Sequence, residues 1–205
     1  MTSVLITGFG RFPGAPLNPS GAIALALAKR RRPAFADVRR AVHIFETSYA
    51  AVDRDLPKLL AKYKPDIVLM FGLAARTPFV RIETRARNAV SNLFPDVSGF
   101  RPINRAIVAG ERDARGRAPF ATLLGAARAT ATRSRLSRDA GRYLCNYVYW
   151  RALEASRSRT LAQFIHIPPL SKAQRRPGGK RRVTQAALVR AGEAILLALL
   201  AARRH

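Results

Sequence analysis

One short run limits the folds open to this chain more than any other. In Asp66-Ile67-Val68-Leu69-Met70-Phe71-Gly72, every residue between the terminal aspartate and glycine is apolar, and Pro65 stands just before it. A half-exposed strand would alternate with polar residues; a strand covered on both faces need not. Such a strand needs helices above and below, and the flanking sequence supplies them. Residues 3–7 form a β-branched apolar run ended by Gly8, and residues 20–31 read as a helix capped by Asn18 or Ser20. Residues 38–45 read as a strand and 49–63 as a helix with Pro57 inside it. Strand, helix, strand, helix, strand is the order of an α/β fold with a mainly parallel sheet.

The rest of the chain continues in kind. Residues 79–90 alternate like one strand, and residues 91–105 form a polar loop with turn signals at Pro95-Asp96 and Gly99. A helix over 119–131 follows, then an ambiguous stretch, 134–139, that allows a short strand. A second helix begins near Cys145, a strand spans 161–167 and stops at Pro168-Pro169, and a final amphipathic helix runs from Thr184 to about Arg203. With 205 residues, 48% of them hydrophobic, and no repeat or internal boundary, one α/β domain over 1–205 is expected. The basic segment 171–182 reads as a mobile loop within it. Residues 194–202 fall short of the ~20 apolar residues a membrane span requires, so no membrane partner is expected.

Charge is the unusual bulk property. Formal net charge is +25, and arginine supplies most of the 37 basic residues. The arginines are spread along the chain without interleaved aromatics. They therefore read as solvated faces that adsorb polyanions non-specifically rather than as a recognition surface. Among the acidic residues, Asp37, Asp53, Asp55, Asp113, Glu154 and Glu193 fit solvated positions. A single cysteine excludes an internal disulfide and any multi-cysteine metal site, and places the chain in the cytoplasm.

That cysteine is the candidate nucleophile. Cys145 follows Ala140-Gly141 at a helix start, where the helix dipole would favour thiolate. A lone cysteine is otherwise an inert small hydrophobe. Of the histidines, His205 is terminal and His43 lies within a strand. His166 ends an apolar strand, the place where sites form in open α/β sheets. Two carboxylates stand out as groups to orient it: Glu83, with Arg81, Arg85 and Arg87 nearby as ordinary ion-pair partners, and Asp96 in its turn.

Five separated stretches carry a resemblance. They are Thr7-Gly8-Phe9 with Phe12, Gly14 and Asn18-Pro19-Ser20; Pro65-Asp66-Ile67-Val68 leading to Gly72; Glu83 with Asn88, Pro95-Asp96 and Gly99; Ala140-Gly141 with Tyr143-Leu144-Cys145-Asn146; and Phe164-Ile165-His166-Ile167-Pro168. In order and spacing the chain resembles the pyroglutamyl peptidase I family of cysteine peptidases. The resemblance implies a three-layer α/β/α sandwich that hydrolyses the amide after an N-terminal pyroglutamyl residue, without cofactor or metal. It implies Cys145 as nucleophile, His166 as base and acid, Glu83 as the orienting group with Asp96 its competitor, and Phe9, Phe12 and Leu73 as substrate-binding positions. It further implies peptide substrates bearing N-terminal pyroglutamate and a homo-oligomeric assembly. The sequence departs from the family pattern at residues 10–15 and at Gly72-Leu73-Ala74-Ala75-Arg76-Thr77, where members carry Gly-Gln-Ala-Gly-Gly-Arg. Those departures keep two alternatives open: a thiol amidase with another small substrate, and a non-catalytic polyanion-binding protein on the same fold.

Overall fold

The computed structural model describes residues 1–12, 16–156, 160–171 and 183–204. In chain order the elements are β1 (Thr2–Phe9), α1 (Ser20–Ala28), β2 (Val38–Phe45), α2 (Tyr49–Tyr63), β3 (Ile67–Leu73), β4 (Val80–Glu83) and β5 (Arg85–Ala86). They continue with β6 (Ala114–Arg115), α3 (Phe120–Ala129), β7 (Ser134–Ser137), α4 (Leu144–Ala155), β8 (Leu161–Ile167) and α5 (Gln185–Arg204). Six strands form one sheet in the order β2-β1-β3-β8-β4-β7. Every neighbouring pair is parallel except β4 and β8.

The apolar runs explain which strands are central. β1, β3 and β8 are almost wholly buried, as strands covered on both faces must be. β2 lies at an edge and turns Arg39 outward, a charged edge that discourages further pairing. On one face β1 and β3 contribute Val4, Ile6, Ile67, Leu69 and Phe71, which pack with Ile23 of α1, Leu123 of α3 and Leu196 of α5. On the other, Leu5, Val68 and Met70 pack with Val52 of α2 and Val148 of α4. The result is helices, sheet, helices in three layers.

Four sequence expectations need correction. The strand over 79–90 breaks at Thr84, whose N–H and hydroxyl both turn to the Ser137 carbonyl. The chain then leaves the main sheet and pairs β5 with β6. Helix α1 ends at Ala28, and its N-cap is Pro19, with the Asn18 side chain accepting from the Ser20 N–H instead. Helix α5 is long and apolar enough to cross a membrane by length and composition, which the shorter run 194–202 did not reveal. Half of that window is buried inside the fold, so its apolar face is accounted for by the core.

The fourth correction concerns charge. Glu193 is not solvated: it is 3% exposed and accepts from Arg30 Nε at 3.0 Å and Arg32 Nε at 2.5 Å. Part of the basic cluster at the end of α1 is thus a structural clamp on α5. Glu193→Ala is expected to lower unfolding stability by about 1–3 kcal/mol in chemical denaturation, because two charge-assisted bonds to a buried carboxylate are lost. A change below about 0.5 kcal/mol would mean the clamp is solvated and idle. The expected loop over 171–182 lies, from residue 172 onward, outside the described residues.

Candidate active site

The site is assembled at the carboxyl ends of β3 and β8. In the parallel register Gly72 lies opposite His166, and in the antiparallel register Arg81 of β4 lies opposite the same histidine. Side chains at matched registers, and at every second residue along a strand, share one sheet face. Gly72, His166, Phe164, Arg81 and Glu83 therefore share a face, the one that α4 covers. Cys145 is the second residue of α4. It reaches that face above Gly72: a Cβ at residue 72 would lie 2.7 Å from Cys145 Sγ and 2.6 Å from Phe164 Cζ. The glycine is required because the sulfur and an aromatic ring occupy the space a side chain would need. Gly72→Ala should displace the thiol beside His166 and lower any thiol-dependent turnover at least about tenfold, at a cost of about 1–3 kcal/mol in stability. Unchanged kinetics in Gly72→Ala would show that this packing does not set the position of the sulfur.

His166 is 5% exposed, and its Nδ1 lies 2.8 Å from Glu83 Oε1. Glu83 is fully buried. An ionised Glu83 accepts a hydrogen bond from Nδ1–H, and in a neutral imidazole that arrangement leaves Nε2 as the unprotonated nitrogen. The backbone of Glu83 is fixed as well, since its carbonyl accepts from Tyr149 Oη at 3.0 Å and Gln163 Nε2 at 2.9 Å. Arg81 Nη2 lies 3.0 Å from that same Oε1. The sequence offered orienting group and ion-pair partner as competing readings of Glu83; the geometry has it touching both His166 and Arg81.

Asp96 is engaged elsewhere. Its Oδ2 accepts from the Tyr49 N–H at the start of α2, and its Oδ1 accepts from the Ser98 N–H, the Ser98 hydroxyl and the Phe100 N–H. Burial works to raise its pKa, but these donors outweigh burial and hold the carboxyl below its ordinary range. Asp96 closes the 96–100 turn and anchors it to α2. His43 lies on edge strand β2: its Nε2 comes within 3.5 Å of Asp55 Oδ2 without forming a hydrogen bond, and its ring packs edge-on to Phe45. His205 lies outside the described residues.

The thiol differs from its sequence expectation. Cys145 keeps a partly exposed edge, yet burial pushes its pKa up to about 12, and the Glu83 charge adds to the rise. Arg81 and the residue's own N–H act in the opposite direction and lose. The position near the helix start is as expected, but desolvation sets the direction of the shift. Among the described residues, no hydrogen bond joins Cys145 Sγ to His166, whose bond is to Glu83. The structure thus places a neutral thiol and the imidazole on one sheet face without a hydrogen bond between them. The first bond at the start of α4 is Tyr147 N–H to the Tyr143 carbonyl, so the preceding N–H groups have no intrahelical acceptor, and that of Cys145 acts on its own thiol.

The remaining expected positions divide. Phe9 is buried, with its ring against Phe45, while Phe12 packs against Tyr143, two residues before the cysteine. Leu73 is half-buried at the end of β3, opposite Ile167, followed by a turn in which the Thr77 N–H reaches the Ala74 carbonyl. Of residues 10–15, residues 13–15 lie outside the described part.

Two organising side chains received no role from the sequence. Asn146 is fully buried; it accepts from the Arg87 N–H and donates to the Arg87 and Ala89 carbonyls, which ties α4 to the segment after β5. Asn88 accepts from the Ile107 and Val108 N–H groups and donates to the Val108 and Glu111 carbonyls. An amide beside the only cysteine, in a helix that otherwise buries apolar residues, was the available signal for Asn146. Among the described residues, no group of three or more His, Cys, Asp or Glu side chains is placed to hold a metal ion.

Comparison with known proteins agrees on one family. The model of the family described as pyroglutamyl peptidase matches residues 2–198. A pyrrolidone-carboxylate peptidase from Clavibacter michiganensis is 34% identical over 82% of this chain and 79% of its own length. One from Cupriavidus necator is 30% identical over 99% of this chain and 95% of its own. The solved pyrrolidone carboxyl peptidase of Thermococcus litoralis superimposes with a TM-score of 0.86 at 26% identity, covering 98% of this chain and 94% of that one. That of Fervidobacterium islandicum gives 0.86 at 26% identity, covering 98% and 99%.

Proposed function

The chain belongs to the pyroglutamyl peptidase family, and from that premise we propose that it hydrolyses the amide bond following an N-terminal pyroglutamyl residue, with Cys145 as nucleophile, His166 as base and acid, and Glu83 as the group that orients His166. The observation that carries the assignment of roles is the 2.8 Å contact between Glu83 Oε1 and His166 Nδ1, on the sheet face where Cys145 Sγ lies over Gly72.

The steps follow from the chemistry of these groups. With the thiol neutral at rest, its proton must pass to His166 Nε2 as sulfur attacks the pyroglutamyl carbonyl carbon. Peptide N–H groups at the start of α4 stabilise the oxyanion that forms. The imidazolium, held by the Glu83 carboxylate, then returns the proton to the departing amine, and a thioester remains on Cys145. Water, deprotonated by His166, attacks the thioester; pyroglutamate leaves and the thiol is restored. Phe12 and Leu73 are the proposed substrate-side walls, apolar surfaces suited to a flat neutral lactam, with Phe9 supporting the loop from the core.

The family relationship supports peptides with N-terminal pyroglutamate as substrates and a homo-oligomer as the working state. A nucleophilic thiol without a disulfide partner suits the reducing cytoplasm. The net charge of +25 supports polyanion adsorption at low salt. The deciding experiment is release of free pyroglutamate from a pyroglutamyl amide reporter by the purified protein. Turnover supports the proposal. Labelling of Cys145 by a thiol reagent with no pyroglutamyl turnover would overturn it in favour of an amidase for another small substrate, the reading for which Leu73 and the turn after it speak.

A further inference from the structure

We propose that Arg81 is a positioning residue that sets the protonation state of His166 through Glu83; this rests on the assignment of His166 as the base. Arg81 Nη2 lies 3.0 Å from Glu83 Oε1, the oxygen that faces His166 Nδ1 at 2.8 Å. Among the described residues, no other arginine or lysine forms an ion pair with Glu83. The guanidinium is itself fixed. Its Nε and Nη2 donate to Ser137 Oγ at 3.2 and 2.8 Å, and Nη2 also donates to the Asp139 carbonyl. Asp139 opens the turn into α4, where its Oδ1 accepts from the Gly141 N–H at 3.0 Å. One side chain thus connects the buried carboxylate, the strand at the edge of the sheet and the turn that leads to Cys145.

The consequence is electrostatic. A fully buried carboxylate with only an imidazole for a partner would pull a second proton onto that ring or take up a proton itself. An imidazolium at rest has no lone pair for the thiol proton. Arg81 sets a fixed positive charge against the oxygen that faces His166 Nδ1 and cancels part of the carboxylate's field at the ring, which works against a second proton there. The other groups facing the pair do not oppose this. From α4 come the neutral Cys145 thiol and the Tyr149 hydroxyl, whose pKa is raised by burial and then by Glu83. From β8 comes the Gln163 amide, from β7 the Ser137 hydroxyl, and β3 presents Gly72. The sign follows: removing the cation favours imidazolium and raises the pKa of His166.

The test is an NMR titration of the imidazoles in the wild type, Arg81→Met and Arg81→Lys, with the His166 signal identified by its loss in His166→Phe. Arg81→Met is expected to raise the His166 pKa by about 1 unit or more, the scale of an ion within contact distance. Arg81→Lys is expected to return most of that shift. The acid limb of kcat/KM should move by the same amount, with activity at alkaline pH less affected. If Arg81→Met does not fold, Ser137→Ala loosens the guanidinium without deleting it, and a smaller shift of the same sign is expected. A His166 titration that stays put in every folded variant overturns the proposal and leaves Arg81 a structural ion pair. The titration needs no substrate, so a wild type without pyroglutamyl turnover would count against the proposed function and not against this coupling.

Discussion

Cys145→Ala is expected to abolish pyroglutamyl turnover, by a factor of about 10⁴ or more in kcat/KM, with the fold intact. The side chain is small and its sulfur lies over Gly72, so its loss costs little volume while removing the proposed attacking atom. Cys145→Ser should be nearly as inactive, since an alcohol is a poorer nucleophile beside the same imidazole. The neutral resting thiol adds a distinctive pH dependence. With its pKa raised to about 12, the thiolate is a minute fraction at neutral pH. Alkylation of the free protein should accordingly be slow at pH 7 and climb about tenfold per pH unit through pH 10. A plateau near pH 8 would contradict a desolvated neutral thiol and point to a preformed thiolate–imidazolium pair. Substantial turnover by Cys145→Ala would end the thiol mechanism itself.

Glu83→Gln is the second large effect. The replacement keeps the volume of a fully buried side chain but removes the charge that fixes the imidazole. An amide can donate to Nδ1 as readily as accept from it, so the tautomer with Nε2 free is no longer enforced. A loss of roughly 10²–10⁴ in kcat is expected, carried by kcat more than by KM, because imidazolium forms only as the reaction proceeds. The acid limb should move opposite to that of Arg81→Met: with Glu83 neutral, Arg81 faces His166 unopposed and the histidine pKa falls. Activity within about threefold of wild type would sink the role given to Glu83.

These effects concern residues that the sequence singled out, but its power was uneven across the chain. The continuous apolar runs at β1, β3 and β8 disclosed central strands because burial on both faces leaves no room for polar residues. The break at Thr84 was hidden, because apolar alternation continues past it while pairing with the main sheet does not. Arg81 was named only as one of three ion-pair partners, although its place two residues before Glu83 puts both on one face of a strand. Glu193 was misread because an acidic residue on an amphipathic helix is ordinarily solvated; its partners lie 161 and 163 residues away in sequence.

The amino-acid sequence alone determined the order of the helices and the central strands, the mainly parallel sheet, and, through its family resemblance, the cysteine and histidine on which the proposed chemistry rests. The elements follow from local periodicity and turn residues; the cysteine and histidine follow from the family resemblance carried by five separated stretches, since scarcity alone left a lone cysteine inert. Only the tertiary structure decided which carboxylate meets the histidine. Glu83 and His166 are 83 residues apart and are joined by the antiparallel register of β4 and β8, while Asp96 is drawn to the start of α2. It also decided the state of the thiol. A position near a helix start can be read from sequence; desolvation depends on what packs around the sulfur, and here it outweighs Arg81 and the residue's own N–H.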